Sequence, residues 1–182
     1  MIIQDNMKIT NIKQISTKTG DKGFTRDLAN KVISKDDLLF EILGTMDELS
    51  SVLGVAYQHC HLDFIKSIQK TIQKINTGLA FDPLGDNTLP PTWGNFNVDD
   101  VIILETEGQR LLDEKPIEAI FSLPGSEGTL PGAYFDWART VCRRAEREMV
   151  RYLHRSERTD LSVALAYVNR LSDLLYIYAK NL

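Results

Sequence analysis

The sequence holds only two cysteines, Cys60 and Cys142, far apart in the 182 residues. Without a CxxC pair, a zinc ribbon or a thioredoxin-type centre is excluded. Two free thiols in a cytoplasmic protein is the simplest reading. No run of about eighteen apolar residues occurs, so no helical membrane span is expected. The opening MIIQDNMKITNIKQ is too polar for a signal peptide. Met7 offers an alternative start, which would make the first residues dispensable. Positive charge is not in excess: 21 Lys and Arg stand against 25 Asp and Glu, a net −4. General nucleic-acid binding needs clustered positive charge and is not expected. A local phosphate site stays open. There are three histidines, His59, His61 and His154. No Glu-x-x-His pair appears, which argues against a metal-storing bundle of the ferritin type. The His59-Cys60-His61 cluster reads better as a helix end than as a metal site. Strand alternation is weak except over residues 8–15. There is no repeat, low-complexity stretch or linker, so residues 1–182 read as one domain, with 1–14 an extended tail.

What is present is a globular composition, 43% apolar and 25% charged, with enough apolar material for a core. Apolar positions recur at helical spacing. Leu39, Ile42, Met46, Leu49, Leu53 and Ala56 make one stripe. Leu62, Ile65, Ile72, Ile75 and Leu79 make a second. A shorter one runs through Val98, Val101, Ile102, Leu111 and Leu112, with Asn97 or Asp99 as N-cap. Tyr134, Ala138, Val141, Ala145, Met149 and Tyr152 form a fourth, and Leu161, Leu165, Val168, Leu171, Leu175 and Tyr178 a fifth. The pattern predicts an all-α, up-and-down bundle of five helices with an irregular N-terminal loop. Residues 82–97 hold three of the six prolines and should form a loop. LPGSEGTLPG, residues 123–132, should be a rigid turn before the fourth helix.

Three polar features stand out from a plain bundle. Thr17-Lys18-Thr19-Gly20-Asp21-Lys22-Gly23, followed by Thr25 and Arg26, could cradle a phosphate. Its glycines admit close backbone approach, and its lysines and hydroxyls supply partners. It is not a Walker loop, and its pattern alone reads more readily as a solvated Gly-rich turn. On the fourth helix Arg139, Arg143 and Glu146 fall on one face. Guanidiniums beside apolar positions suit an anion, and pairing with Glu146 and Glu148 is the plainer alternative. On the last helix Asn169-Arg170-Leu171-Ser172-Asp173 could satisfy one another or line a cleft.

Taken in order, Gly20-Asp21-Lys22-Gly23, Gly44-Thr45-Met46-Asp47-Glu48-Leu49, Leu123-Pro124-Gly125, ARTVCRRAER (138–147) and NRLSD (169–173) resemble the PduO-type ATP:cob(I)alamin adenosyltransferases. The likeness runs from about Thr17 to the C-terminus. It implies a five-helix bundle, a homotrimer with active sites between subunits, and transfer of the 5′-deoxyadenosyl group of ATP to cob(I)alamin. It implies that Thr17, Lys18, Thr19, Gly20, Asp21, Lys22, Gly23, Thr25 and Arg26 surround the ATP phosphates, with Lys35 adding charge. Arg143, Glu146 and Asn169 would complete the nucleotide site, Glu146 near Mg²⁺ or the ribose. Arg139 would pair with Asp47 across the subunit interface. Phe121 would crowd the lower face of the corrin, and no histidine is placed to bind cobalt. A flavoprotein reductase would supply Co(I). The chain departs from the family pattern at Ala29-Asn30, at Ser50, in the 132–137 stretch, and in ending at Leu182 without the tail of many relatives. A non-catalytic corrinoid carrier or sensor on the same fold is the alternative, marked by binding without turnover.

Overall fold

Asp37 opens the first helix of the bundle: its side chain accepts from the Leu39 N–H at 2.9 Å, satisfying one of the orphan donors of a helix start. The computed structural model describes residues 8–16, 18–81, 96–156 and 158–182. Helix α1 spans Leu38–Cys60 and stops at His61, which takes the left-handed conformation at φ 53°. The His59-Cys60-His61 cluster therefore ends a helix. Helix α2 spans Asp63–Ala80. Helix α3 spans Val98–Glu114 behind a capping box formed by Asn97 and Asp100. Helix α4 spans Leu130–Ser156 and α5 spans Ser162–Asn181.

Helix α4 packs against α1 on one side and α5 on the other, α2 lies on α1, and α3 lies on α5. Lys74 on α2 and Asp100 on α3, 3.6 Å apart, bring the last two faces together. Met46, Leu49, Ile72, Phe135, Ala145, Val168 and Leu175 are fully buried at the centre. Truncating one of the larger of these to Ala costs about 2–5 kcal/mol. Arg158 is buried just before α5 and donates to the Gly78 and Phe81 carbonyls, closing the open end of α2. Among the described residues no helix is long and apolar enough to cross a membrane.

Four expectations are corrected. Residues 8–15 form no strand; Ile12–Gln14 is a 3₁₀ turn capped by Asn11, so the tail is not extended throughout. The N-terminal loop contains a small antiparallel hairpin, β1 (Phe24–Arg26) against β2 (Val32–Ser34), with Thr25 opposite Ile33. Helix α4 starts inside the expected turn, because Pro131 sits in a first turn that needs no N–H from it. The Thr129 hydroxyl accepts from the Gly132 N–H there. The core face of α3 is Val101, Leu104 and Gly108, while Val98 and Ile102 are exposed. Of the expected 82–97 loop, residues 82–95 lie outside the described residues.

Candidate functional site

The glycine loop is held by its own main chain. Gly23 N–H donates to the Gly20 carbonyl at 3.2 Å, and Lys35 N–H donates to the Gly23 carbonyl at 2.8 Å. Gly23 has φ 81°, which side chains rarely adopt, and Lys18 takes φ 58°. The Lys35 ammonium lies on Gly20: a Cβ there would sit 2.6 Å from Lys35 Nζ. Lys18, Thr19, Asp21 and Lys22 are exposed and Thr25 is half-buried. Arg26 spends one nitrogen on the Asn30 carbonyl, at 2.7 Å, which closes the hairpin turn. Thr19, Phe24, Thr25, Arg26 and Val32 line an open pocket of about 430 Å³. Thr17 lies outside the described residues. The segment thus carries Lys18, Lys22 and Lys35 with Thr19 and Thr25 about a glycine turn, a donor set suited to phosphate.

The second group of residues lies midway along α4 and α5. Glu146 Oε1 accepts from Asn169 Nδ2 at 2.6 Å, and Asn169 Oδ1 accepts from Arg170 at 2.8 Å. Arg170 in turn donates to Glu105 on α3 at 2.9 Å. The chain of bonds fixes which way the Asn169 amide faces. Arg143 is exposed, and no hydrogen bond or ion pair occupies it among the described residues. Arg144 turns the other way and pairs with Glu48 on α1. Beneath Arg143, burial pushes the Cys142 thiol far up, with Glu146 and Asp173 adding to the rise. Cys142 therefore stays protonated at neutral pH and serves as a core residue, not a nucleophile.

Arg139 is bonded within its own helix: its Nε donates to Asp136 Oδ1 at 3.2 Å. Asp47 is exposed on α1 with no partner among the described residues. The expected Arg139–Asp47 pair is thus not made within one chain. Asp136 is the residue that sequence reasoning missed here, although three-residue spacing on a helix was a usable signal. Also unforeseen is the buried bond from Thr45 Oγ1 to Glu148 Oε2, 2.7 Å, which ties α1 to α4.

Phe121 belongs to an irregular segment at the far end of the bundle, and is 95% exposed. The segment is fastened to the start of α4 through Gly125 and to the end of α5 through Lys180. The glycine loop sits instead near the end of α4, where Ser34 and Asp37 share a pocket with Tyr152 and Arg155. A helix of 27 residues is about 40 Å long. Arg143 lies about 20 Å from either end. One chain therefore brings Arg143, Glu146 and Asn169 together, and Gly20 with Lys35, but does not bring Phe121 to the glycine loop.

The family model for cobalamin adenosyltransferase matches residues 15–182. The corrinoid adenosyltransferase MMAB of Homo sapiens is 35% identical over 183 residues, covering 97% of this chain and 72% of that protein. A corrinoid adenosyltransferase of Citrobacter freundii is 33% identical, covering 92% of this chain and 93% of its own length. Among solved structures, a variant PduO-type ATP:corrinoid adenosyltransferase from Lactobacillus reuteri, complexed with cobalamin and ATP, superposes with a TM-score of 0.82. Its identity is 26%, with 92% of each chain covered. With the five-helix bundle, the glycine loop and the arginine-bearing α4 in place, the match over nearly the full length makes this chain a member of the cobalamin adenosyltransferase family, and so an enzyme of the corrinoid adenosyltransferase type.

Proposed function

We propose that the protein transfers the 5′-deoxyadenosyl group of ATP to cob(I)alamin and releases triphosphate, acting as a single domain in a cytoplasmic homotrimer with sites shared between subunits. The observation that carries this reading is Arg143, an exposed guanidinium with no acidic partner among the described residues, one turn from a Glu146 braced by Asn169. A free guanidinium at the middle of an apolar bundle suits an anion that arrives with the substrate. Phe121 and the glycine loop lie toward opposite ends of α4, which supports a shared site, because a second copy can supply the end that the first lacks.

Reduced cobalt is itself the nucleophile and attacks the 5′ carbon of ATP; the C5′–O bond breaks and triphosphate leaves with the electron pair. No general base is required. The protein's work is to hold the two substrates in line and to gather positive charge on the leaving oxygens. Lys18, Lys22, Lys35 and Arg26 supply that charge at the loop, and the Thr17, Thr19 and Thr25 hydroxyls add hydrogen-bond partners beside Gly20, Asp21 and Gly23. Arg143 supplies it on α4. Glu146 is one carboxylate, already oriented by Asn169. That donor set fits Mg²⁺, which keeps several waters and takes other ligands from phosphate. The ion would add positive charge to the triphosphate. Arg139 keeps its Nε on Asp136 and retains two NH₂ groups for Asp47 of the partner subunit. Phe121 would shield the lower face of the corrin, and a reductase would supply Co(I).

The test is to incubate purified protein with MgATP and chemically reduced cobalamin. Adenosylcobalamin and triphosphate should form in equal amounts. Bound corrinoid without a cobalt–carbon product under saturating conditions would replace the enzyme with a carrier.

A further inference from the structure

We propose that Asp136 is a positioning residue for the transfer, holding the Phe121 loop with one carboxylate oxygen and Arg139 with the other. The inference rests on the reading of the site given above. Asp136 is 6% exposed on the first half of α4, between the buried Phe135 and the exposed Trp137. Its Oδ2 accepts from the Gly125 N–H at 3.1 Å, and its Oδ1 accepts from Arg139 Nε at 3.2 Å. A carboxylate is costly to bury, and one persists only when its oxygens are bonded. Helix packing alone would be served by an apolar residue here.

The loop explains what the carboxylate is for. Between α3 and α4 it has no regular structure, and it turns at Gly125 (φ 76°) and Gly128 (φ 75°). It exposes Ile120, Phe121 and Leu123 by 64%, 95% and 70%. Its apolar side chains therefore do little to anchor it, and its position depends on polar ties. There are two. Lys180 of α5, whose side chain is 9% exposed, donates to Ser122 and pairs with Glu127. Asp136 of α4 takes Gly125. The Lys180 tie touches only the loop. The Asp136 tie also reaches Arg139, so the aromatic that faces the corrin and the arginine that faces the next subunit share one fixed point. Displacements on the order of 1 Å are enough to spoil an aligned displacement.

Two variants separate the arms. In Asp136→Asn the amide oxygen can still accept from Gly125, but the NH₂ group opposes the Arg139 donor. Asp136→Ala removes both arms. The readouts are KM for cobalamin and for ATP, kcat, and the visible and EPR spectrum of bound cob(II)alamin, which reports whether the lower axial ligand is on cobalt. Asp136→Ala should raise KM for cobalamin about tenfold or more, shift the spectrum toward the ligand-on form, and leave KM for ATP within about twofold. Asp136→Asn should keep the wild-type spectrum and lower kcat about tenfold. An Asp136→Ala enzyme with wild-type cobalamin KM and spectrum, or with both KM values raised together, would overturn the proposal. Should Asp136→Ala not fold, an Asp136→Asn enzyme with unchanged kcat overturns it equally. Wild-type protein that makes no adenosylcobalamin defeats the functional reading instead, and the spectrum still reports on the loop.

Discussion

A methyl group on Gly20 would lie 2.6 Å from Nζ and 2.9 Å from Cε of Lys35, so the lysine rests where a side chain would otherwise stand. Replacing Gly20 with Ala should push the ammonium away from the loop and leave the bundle untouched. A displaced surface charge changes binding by about 1 kcal/mol, so the Kd for MgATP should rise about 3–10-fold. Tm should stay within about 2 °C. Calorimetric titration beside a thermal melt checks both.

Arg143 is exposed on α4 and carries no ion pair among the described residues. Arg143→Ala should reduce kcat/KM for ATP by about 10²-fold or more, the scale of a lost electrostatic stabiliser. Steady-state kinetics with reduced cobalamin in excess measures it. Near-wild-type values would remove Arg143 from the site.

Asp47 is exposed and unbonded among the described residues, while Arg139 retains two NH₂ groups. Asp47→Asn should therefore weaken both activity and self-association, seen as a concentration-dependent mass by sedimentation. An unchanged assembly with unchanged kinetics would contradict a contact between them.

Thr45 and Glu148 are buried at 6% and 9% exposure and share a 2.7 Å bond. Thr45→Val keeps the shape and strips a donor from a buried carboxylate, at a cost of about 1–3 kcal/mol. Tm should fall by about 3–10 °C. A melt within 1 °C of wild type would show that the carboxylate finds another donor.

The Arg110 guanidinium holds the Glu107 carboxyl below its ordinary range, helped by the Tyr178 hydroxyl and opposed by burial. A carboxylate depressed on folding adds stability that is fully present above its unfolded value of about 4.3, and loses it as pH falls through the folded value. The Tm gap between wild type and Glu107→Gln should therefore be widest at neutral pH and shrink on acidification from about pH 5 to pH 3. A gap that grows on acidification would reverse the assignment.

The helices were legible because their apolar spacing, and caps such as Asn97, act within a few residues of sequence. The hairpin was not: three-residue strands are too short to show alternation, and the Asp27–Lys31 turn sets their pairing. The start of α4 was misread because Pro131 and Gly132 look like punctuation. Gly132 is instead packed so close to the Ala179 carbonyl that a Cβ would lie 2.9 Å from it. In α3, Val101 and Leu111 face the core as expected, while Val98 and Ile102 are apolar without being core and Leu104 and Gly108 complete the face. Among the candidate residues, Arg143 and Glu146 followed from helical spacing, and Asn169 beside them from the family resemblance. The partners Asp136, Glu48 and Thr45 did not, because two of these contacts join residues about a hundred positions apart. No local pattern marks such pairs.

The glycine hairpin joins the bundle lightly. Among the described residues, its main chain reaches another element through one hydrogen bond, from the Leu28 N–H to the Ala80 carbonyl at the end of α2. Its side chains add the partly buried Ile33 and the buried Asp27. A segment held this way is expected to open before the core does. Amide protons of residues 18–35 should exchange through local opening, while those facing Met46, Leu49 and Ala145 wait for global unfolding. A hairpin hung on so few bonds should tolerate being rebuilt while the core keeps its Tm.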